Sequence, residues 1–198
     1  AAIVENIDFK RLFAYFEEHQ EVGVLTVKVV LPDGKIDPAS HRGFPTVWNS
    51  FCYFVGFEKI LGKIPGLGQF FGGYHLTHLD LNKIHEIDSP SGAFYLARHE
   101  VLEEVKGFDD KNFFFYGEDL DLSYRIKETS HKIIYYPEYT VLHLKHASGL
   151  NKADNKIRKQ AREHFYQAMK IFYRKHYEKK HSSITNKIVY LVIELKKK

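Results

Sequence analysis

The run Val22 to Leu31, Val-Gly-Val-Leu-Thr-Val-Lys-Val-Val-Leu, constrains the fold more than any other segment. It is β-branched and continuous rather than alternating, which predicts a strand buried on both faces, and such a strand needs helices above and below its sheet. Pro32-Asp33-Gly34 closes it with a turn. Cover comes from the flanks. Phe9, Leu12, Phe13 and Phe16 recur at helical spacing, predicting an amphipathic helix over residues 9–18. Thr46 to Leu61 predicts a strongly aromatic helix, residues 118–128 another, and Glu100 to Val105 a short one that ends at Gly107 as a C-terminal cap. Further strands are expected at Ile87 to Ala97, interrupted by Ser91-Gly92, and at Lys132 to Tyr136 and Thr140 to Leu144. Residues 62–73, rich in glycine and carrying Pro65, predict a loop; Gly62-Lys63 is followed by Ile64, which excludes a phosphate loop. The alternation predicts an α/β class with a largely parallel sheet and no internal repeat.

At 198 residues with 44% hydrophobic content, the chain can bury one sizeable core, in one domain or at most two. No stretch approaches a membrane-spanning run, and Glu5, Asp8 and Lys10 replace the basic start and apolar run of a secretory leader. The single Cys52 fits a reducing, cytosolic compartment. The net charge of +4 conceals an asymmetry: residues 151–198 hold 14 Lys and Arg against 4 Asp and Glu, leaving 15 against 21 in residues 1–150. A basic tail on an acidic body predicts contact between the tail and an anionic surface. In the tail, Ile157, Ala161, Phe165, Ala168, Met169, Phe172 and His176 share one helical face, and Ile184, Ile188, Leu191, Val192 and Leu195 precede Lys196-Lys197-Lys198. This reads as a basic amphipathic tail over residues 149–198 that binds an anionic membrane surface, with packing of Phe172, Tyr173 and Tyr177 against the body as the alternative. An acidic body argues against a nucleic-acid partner.

Chemistry concentrates in Phe113-Phe114-Phe115-Tyr116-Gly117-Glu118-Asp119-Leu120-Asp121-Leu122, where three carboxylates crowd the first turn of a helix behind an aromatic wall. Unpaired N–H groups at the helix start favour ionised carboxylates, whereas an apolar wall raises their proton affinity. Asp121 is expected to pair with Arg125 one turn on, while Glu118 and Asp119 are more than capping requires. His75, His78 and His85 lack a fourth ligand at clear spacing and make a poor zinc set.

The ordered set Asp88-Ser89-Pro90-Ser91-Gly92-Ala93-Phe94-Tyr95-Leu96-Ala97-Arg98, Gly107-Phe108-Asp109, Phe115 to Leu122, Tyr136-Pro137 and Val141-Leu142-His143 resembles the C-terminal half of family 2 glycosyltransferases. It is most similar to rhamnosyltransferase-like enzymes of bacterial polysaccharide assembly, and Pro32-Asp33-Gly34 and Arg42-Gly43-Phe44-Pro45 fit as well. The resemblance, from Phe9 to Ser148, implies a partial GT-A fold over residues 1–148 and inverting transfer from a nucleoside-diphosphate sugar with a divalent cation, Mn²⁺ or Mg²⁺. The acceptor it implies is a glycan or lipid-linked sugar at the inner face of the cell membrane. It makes Asp119 the base, with Glu118 beside it, places His143 on the metal or diphosphate, and lines the substrate pocket with Asp88, Ser91, Gly92, Ala93 and Arg42. The family's nucleotide-binding half and its Asp-x-Asp metal motif have no counterpart here. The expectation is therefore a piece of an enzyme, inactive alone, that self-associates into a homo-oligomer over an exposed apolar surface; the alternative is a non-catalytic carbohydrate-binding or membrane-surface module.

Overall fold

The computed structural model describes residues 2–113, 116–144 and 155–197. Phe114, Phe115, the boundary expected at residue 148 and the side chain of Ile157 lie outside the described residues.

β2 (Val22–Val30) pairs in parallel with the long strand β5 (Lys132–His143) at the centre of a five-stranded sheet. β1 (Ala2–Val4) and β3 (His85–Ile87) both run antiparallel to β5, one at each end of it, and β4 (Leu96–Ala97) runs antiparallel to β2. The sheet is thus mixed, with one parallel pairing among four. The largely parallel sheet expected from alternation fails because β1, β3 and β4 are only two or three residues long and reach their partners without a helical crossover. The two strands expected at 132–136 and 140–144 are one, kinked where the register jumps from Val27↔Tyr136 to Lys28↔Thr140. The extra residues there include Pro137, which has no N–H to give the ladder. The strand expected over 87–97 is divided between β3 and β4 by the loop 88–95.

Alternation along the central strands builds a core on each face. Leu25, Val27, Val29, Ile134 and Tyr136 pack with Leu12 and Phe16 of helix α1 (Phe9–Glu18). Asp8 caps α1 by accepting the Lys10 and Arg11 N–H groups; Phe9 and Phe13 of the expected face stay exposed. On the opposite face Val24, Ile133 and Tyr135 meet Val101 of α5 (His99–Glu104) and Leu122 and Ile126 of α6 (Glu118–Glu128).

The aromatic segment folds as α2 (Val47–Val55), capped by Thr46, and α3 (Phe57–Leu61), separated by Gly56 at φ +84°. Within the expected loop 62–73 lies a short helix, α4 (Gly68–Phe71). Its glycines serve close packing as much as flexibility: a Cβ at Gly72 would lie 2.3 Å from Thr77 Oγ1, and one at Gly43 would lie 2.1 Å from the Gly73 carbonyl oxygen.

The tail forms α7 (Asn155–His176) and α8 (Ser183–Lys197). α7 buries Ala168, Phe172 and Tyr173 with Tyr177, Phe113 and Tyr124 in a third apolar cluster. Asp121, fully buried in α6, bonds Arg125 as expected (Nε to Oδ2, 2.8 Å) and also holds two residues of α7: His176 Nε2 at 2.7 Å and Lys175 Nζ at 2.8 Å. Packing on the body therefore accounts for the buried face of α7. α8 differs, with Ile184, Ile188, Leu191 and Leu195 on one stripe, each more than half exposed. Among the described residues no helix is long and apolar enough to cross a membrane.

Candidate active site

Gly117 takes φ +84°, a conformation that starts α6 directly under Phe113 and delivers Glu118 and Asp119 into the first helical turn. Asp119 is held from two sides. Arg42 Nη2 donates to its Oδ1 at 3.0 Å, and the Gly92 N–H donates to its Oδ2 at 3.1 Å. Both contacts come from segments stitched to each other, since the Arg42 carbonyl accepts the N–H groups of Asp88 and Ser89. Asp88 completes that stitching by accepting the Phe44 N–H at 2.8 Å and Lys127 Nζ at 2.9 Å.

Glu118 is the more strained of the pair electrostatically. Its Oε2 is buried without a hydrogen-bond partner, and burial, with the adjacent Asp119, pushes its carboxyl above the usual carboxylate range. Arg42 Nε is likewise buried without a partner. Two orphaned polar atoms beside one carboxylate pair mark a site built to receive polar groups.

The pair forms the polar end of a cavity of about 590 Å³. Arg42, Tyr74, Tyr116, Glu118 and Asp119 line that end; the walls are apolar, from Val47, Phe51, Phe54 and Val55 of α2, Phe165, Ala168, Met169 and Phe172 of α7, and Ile188, Val189, Val192 and Ile193 of α8. A long apolar chain with a polar head fits this distribution better than a free sugar does.

Of the residues singled out in the sequence, Arg42, Gly92, Glu118 and Asp119 converge. Asp88, Ser91 and Ala93 lie on the same loop but do not line the cavity; Asp88 is committed to backbone and Lys127, and Ser91 Oγ accepts the Ala93 N–H at 3.4 Å. His143 is also outside the cavity lining, and its Nδ1 lies 2.7 Å from Oδ2 of the buried Asp37. Among the described residues, one imidazole and one engaged carboxylate are fewer donors than a divalent cation needs. Among the described residues no group of three or more His, Cys, Asp or Glu could hold a metal ion. The same holds for the histidines of 75–85: His75 Nδ1 lies 2.8 Å from Oε2 of the buried Glu58, and His85 Nε2 lies 2.6 Å from Nε2 of His41. Burial, with His85 beside it, pushes His41 down to about 4.

Sequence reasoning missed the cavity walls. The signal was present in the aromatic content of α2 and the apolar stripe of α8, but their meeting depends on α7 docking through residues some fifty positions from their partners in α6.

A family model described as "Glycosyltransferase like family 2" matches residues 2–165. The chain is 28% identical over 125 residues, 63% of its length, to N-acetylglucosaminyl-diphospho-decaprenol L-rhamnosyltransferase of Mycobacterium tuberculosis, in strains CDC 1551 / Oshkosh and ATCC 25618 / H37Rv alike. The match covers 38% of those relatives' own length.

Proposed function

The chain belongs to glycosyltransferase-like family 2, and from that premise we propose that it carries the acceptor side of an inverting sugar transfer. The donor is a nucleoside-diphosphate sugar, with rhamnose the first candidate, and the acceptor is a lipid-linked sugar at the inner face of the cell membrane. The observation that carries this reading is the Glu118–Asp119 pair lining a cavity whose walls are otherwise mostly apolar. A lipid chain occupies the walls and presents its sugar hydroxyl to the carboxylates. Asp119, oriented by Arg42 and the Gly92 N–H, takes the hydroxyl proton as the oxygen bonds to the donor's anomeric carbon and the bond to the diphosphate breaks. Glu118 Oε2, which has no partner, accepts a hydrogen bond from the acceptor and holds the hydroxyl in line. No step is assigned to His143 or to a cation.

The test compares acceptors. Membranes from cells expressing the gene product, and from cells lacking it, receive labelled nucleoside-diphosphate sugars with Mn²⁺ or Mg²⁺. The acceptor is polyprenyl-diphosphate-linked N-acetylglucosamine or the same sugar diphosphate bearing a methyl group instead of the lipid. Gene-dependent label in the polyprenyl acceptor and little in the methyl one is expected. Equal labelling of both removes the lipid-linked acceptor, and no gene-dependent label in either favours a non-catalytic carbohydrate-binding module.

A further inference from the structure

We propose that helices α2 to α4, with the outer stripe of α8, form the surface by which this protein sits on an anionic lipid bilayer. Exposed apolar groups are dense here: Trp48, Phe51, Ile60, Ile64, Leu67 and Phe70 are between 41% and 69% exposed. They form one patch, because Trp48 Nε1 donates to the Phe70 carbonyl at 2.7 Å and the rings of Trp48, Phe51, Phe57 and Phe71 touch in series. Apolar surface on this scale is costly to leave in water.

Two observations say that lipid covers it. The first is charge. Residues 47–73 contain three charged side chains, and the only acid, Glu58, is buried against His75, so the charge offered outward is that of Lys59 and Lys63. Cations among exposed aromatic and aliphatic groups suit a bilayer interface that carries anionic headgroups. The second is continuity with the cavity. Phe51 and Val55 of α2, Phe165 of α7 and Ile188 of α8 line the cavity and are each between 44% and 56% exposed, so they mark its mouth. That mouth opens between the α2 patch and the α8 stripe, and Lys196 of α8 stacks over the Phe54 ring of α2 at 5.0 Å. A protein resting on these elements has its apolar cavity facing the acyl region. Docking of this kind serves the lipid-linked acceptor proposed above, yet it is read by binding alone, so either reading can fail without the other.

Trp48 is the only tryptophan of the chain and lies within the patch, which makes it a built-in reporter. The 198-residue chain is mixed with phosphatidylcholine vesicles containing phosphatidylglycerol, with or without brominated acyl chains. A blue shift of Trp48 emission and its quenching by the brominated chains are expected. Ile60→Glu and Phe70→Glu, both at exposed positions and checked by circular dichroism, should each weaken vesicle binding about tenfold or more. Vesicle binding with Trp48 unquenched would assign the contact to another face and overturn the proposal, as would no binding. Trp48 emission that shifts with protein concentration in the absence of lipid, and stops doing so in Ile60→Glu, would assign the patch to a second copy of the chain instead.

Discussion

Substituting Asp121 tests how firmly the tail belongs to the body. This carboxylate is fully buried and receives Arg125 Nε at 2.8 Å, His176 Nε2 at 2.7 Å and Lys175 Nζ at 2.8 Å. Burial alone would push its pKa up, but the bonds from His176, Lys175 and Arg125 outweigh that and hold it at about 2. Against the ordinary aspartate value of 3.8, this differential is worth about 2.5 kcal/mol. Because the folded value is the lower one, that stability is present above pH 3.8 and drains away as pH falls toward 2. Removing the charge at neutral pH also strands cations in a buried place, for which losses of about 3–5 kcal/mol are typical. Asp121→Asn should therefore cost about 2.5–5 kcal/mol in urea unfolding, and lower the melting temperature by roughly 5–20 °C for a domain of this size. Because Ala168, Met169, Phe172 and Tyr173 of α7 line the cavity, loosening α7 should also raise KM for the lipid acceptor. His176→Ala combined with Asp121→Ala should cost less than the two single losses added together. A loss below about 1 kcal/mol for Asp121→Asn would refute the claim that this buried network fastens the tail.

Three further outcomes follow from the geometry. His41, buried and held at about 4, refuses a proton that the unfolded chain takes up below pH 6.5, so stability should fall between pH 6.5 and 4 by up to about 3 kcal/mol; His41→Asn should flatten that part of a pH–urea profile. Gly43→Ala would set a Cβ 2.1 Å from the Gly73 carbonyl oxygen, displacing the segment that carries Arg42; calorimetry should show a loss of about 1–3 kcal/mol, and an unchanged melting temperature would contradict the packing described. Met169→Trp narrows the apolar part of the cavity and should raise KM for a polyprenyl acceptor while leaving kcat within about twofold, as expected when binding common to ground and transition states is lost.

What the sequence disclosed tracks the range over which each feature is determined. The strand at Val22 was legible because burial on both faces leaves a continuous β-branched run, and the Asp121–Arg125 pair because both groups lie on one helix face. Asp121 with His176, Arg42 with Asp119 and His41 with His85 are separated by 55, 77 and 44 residues, and nothing local encodes such meetings. The resemblance brought Arg42 and Asp119 into one list but said nothing of their ion pair. The antiparallel pairings escaped because strands of two or three residues have no periodicity to read. Glycine content misled at 62–73, where close backbone packing and flexibility demand the same residue. The amphipathic tail has two fates from one pattern: α7 turns its stripe to the body and α8 leaves its own in the open, a difference set by the partners α6 offers.

Single-turnover transfer by Asp119→Asn, under the conditions that give gene-dependent labelling of the polyprenyl acceptor, tests the carboxylate site most directly. The substitution keeps the size of the side chain, so melting temperature and vesicle binding should stay near those of the parent. The rate of the transfer step should drop about 10²–10⁴-fold, the range for loss of a general base, with a smaller drop for Glu118→Gln. Near-parental turnover by Asp119→Asn would contradict its role as the base, and a larger loss for Glu118→Gln would move that role to Glu118.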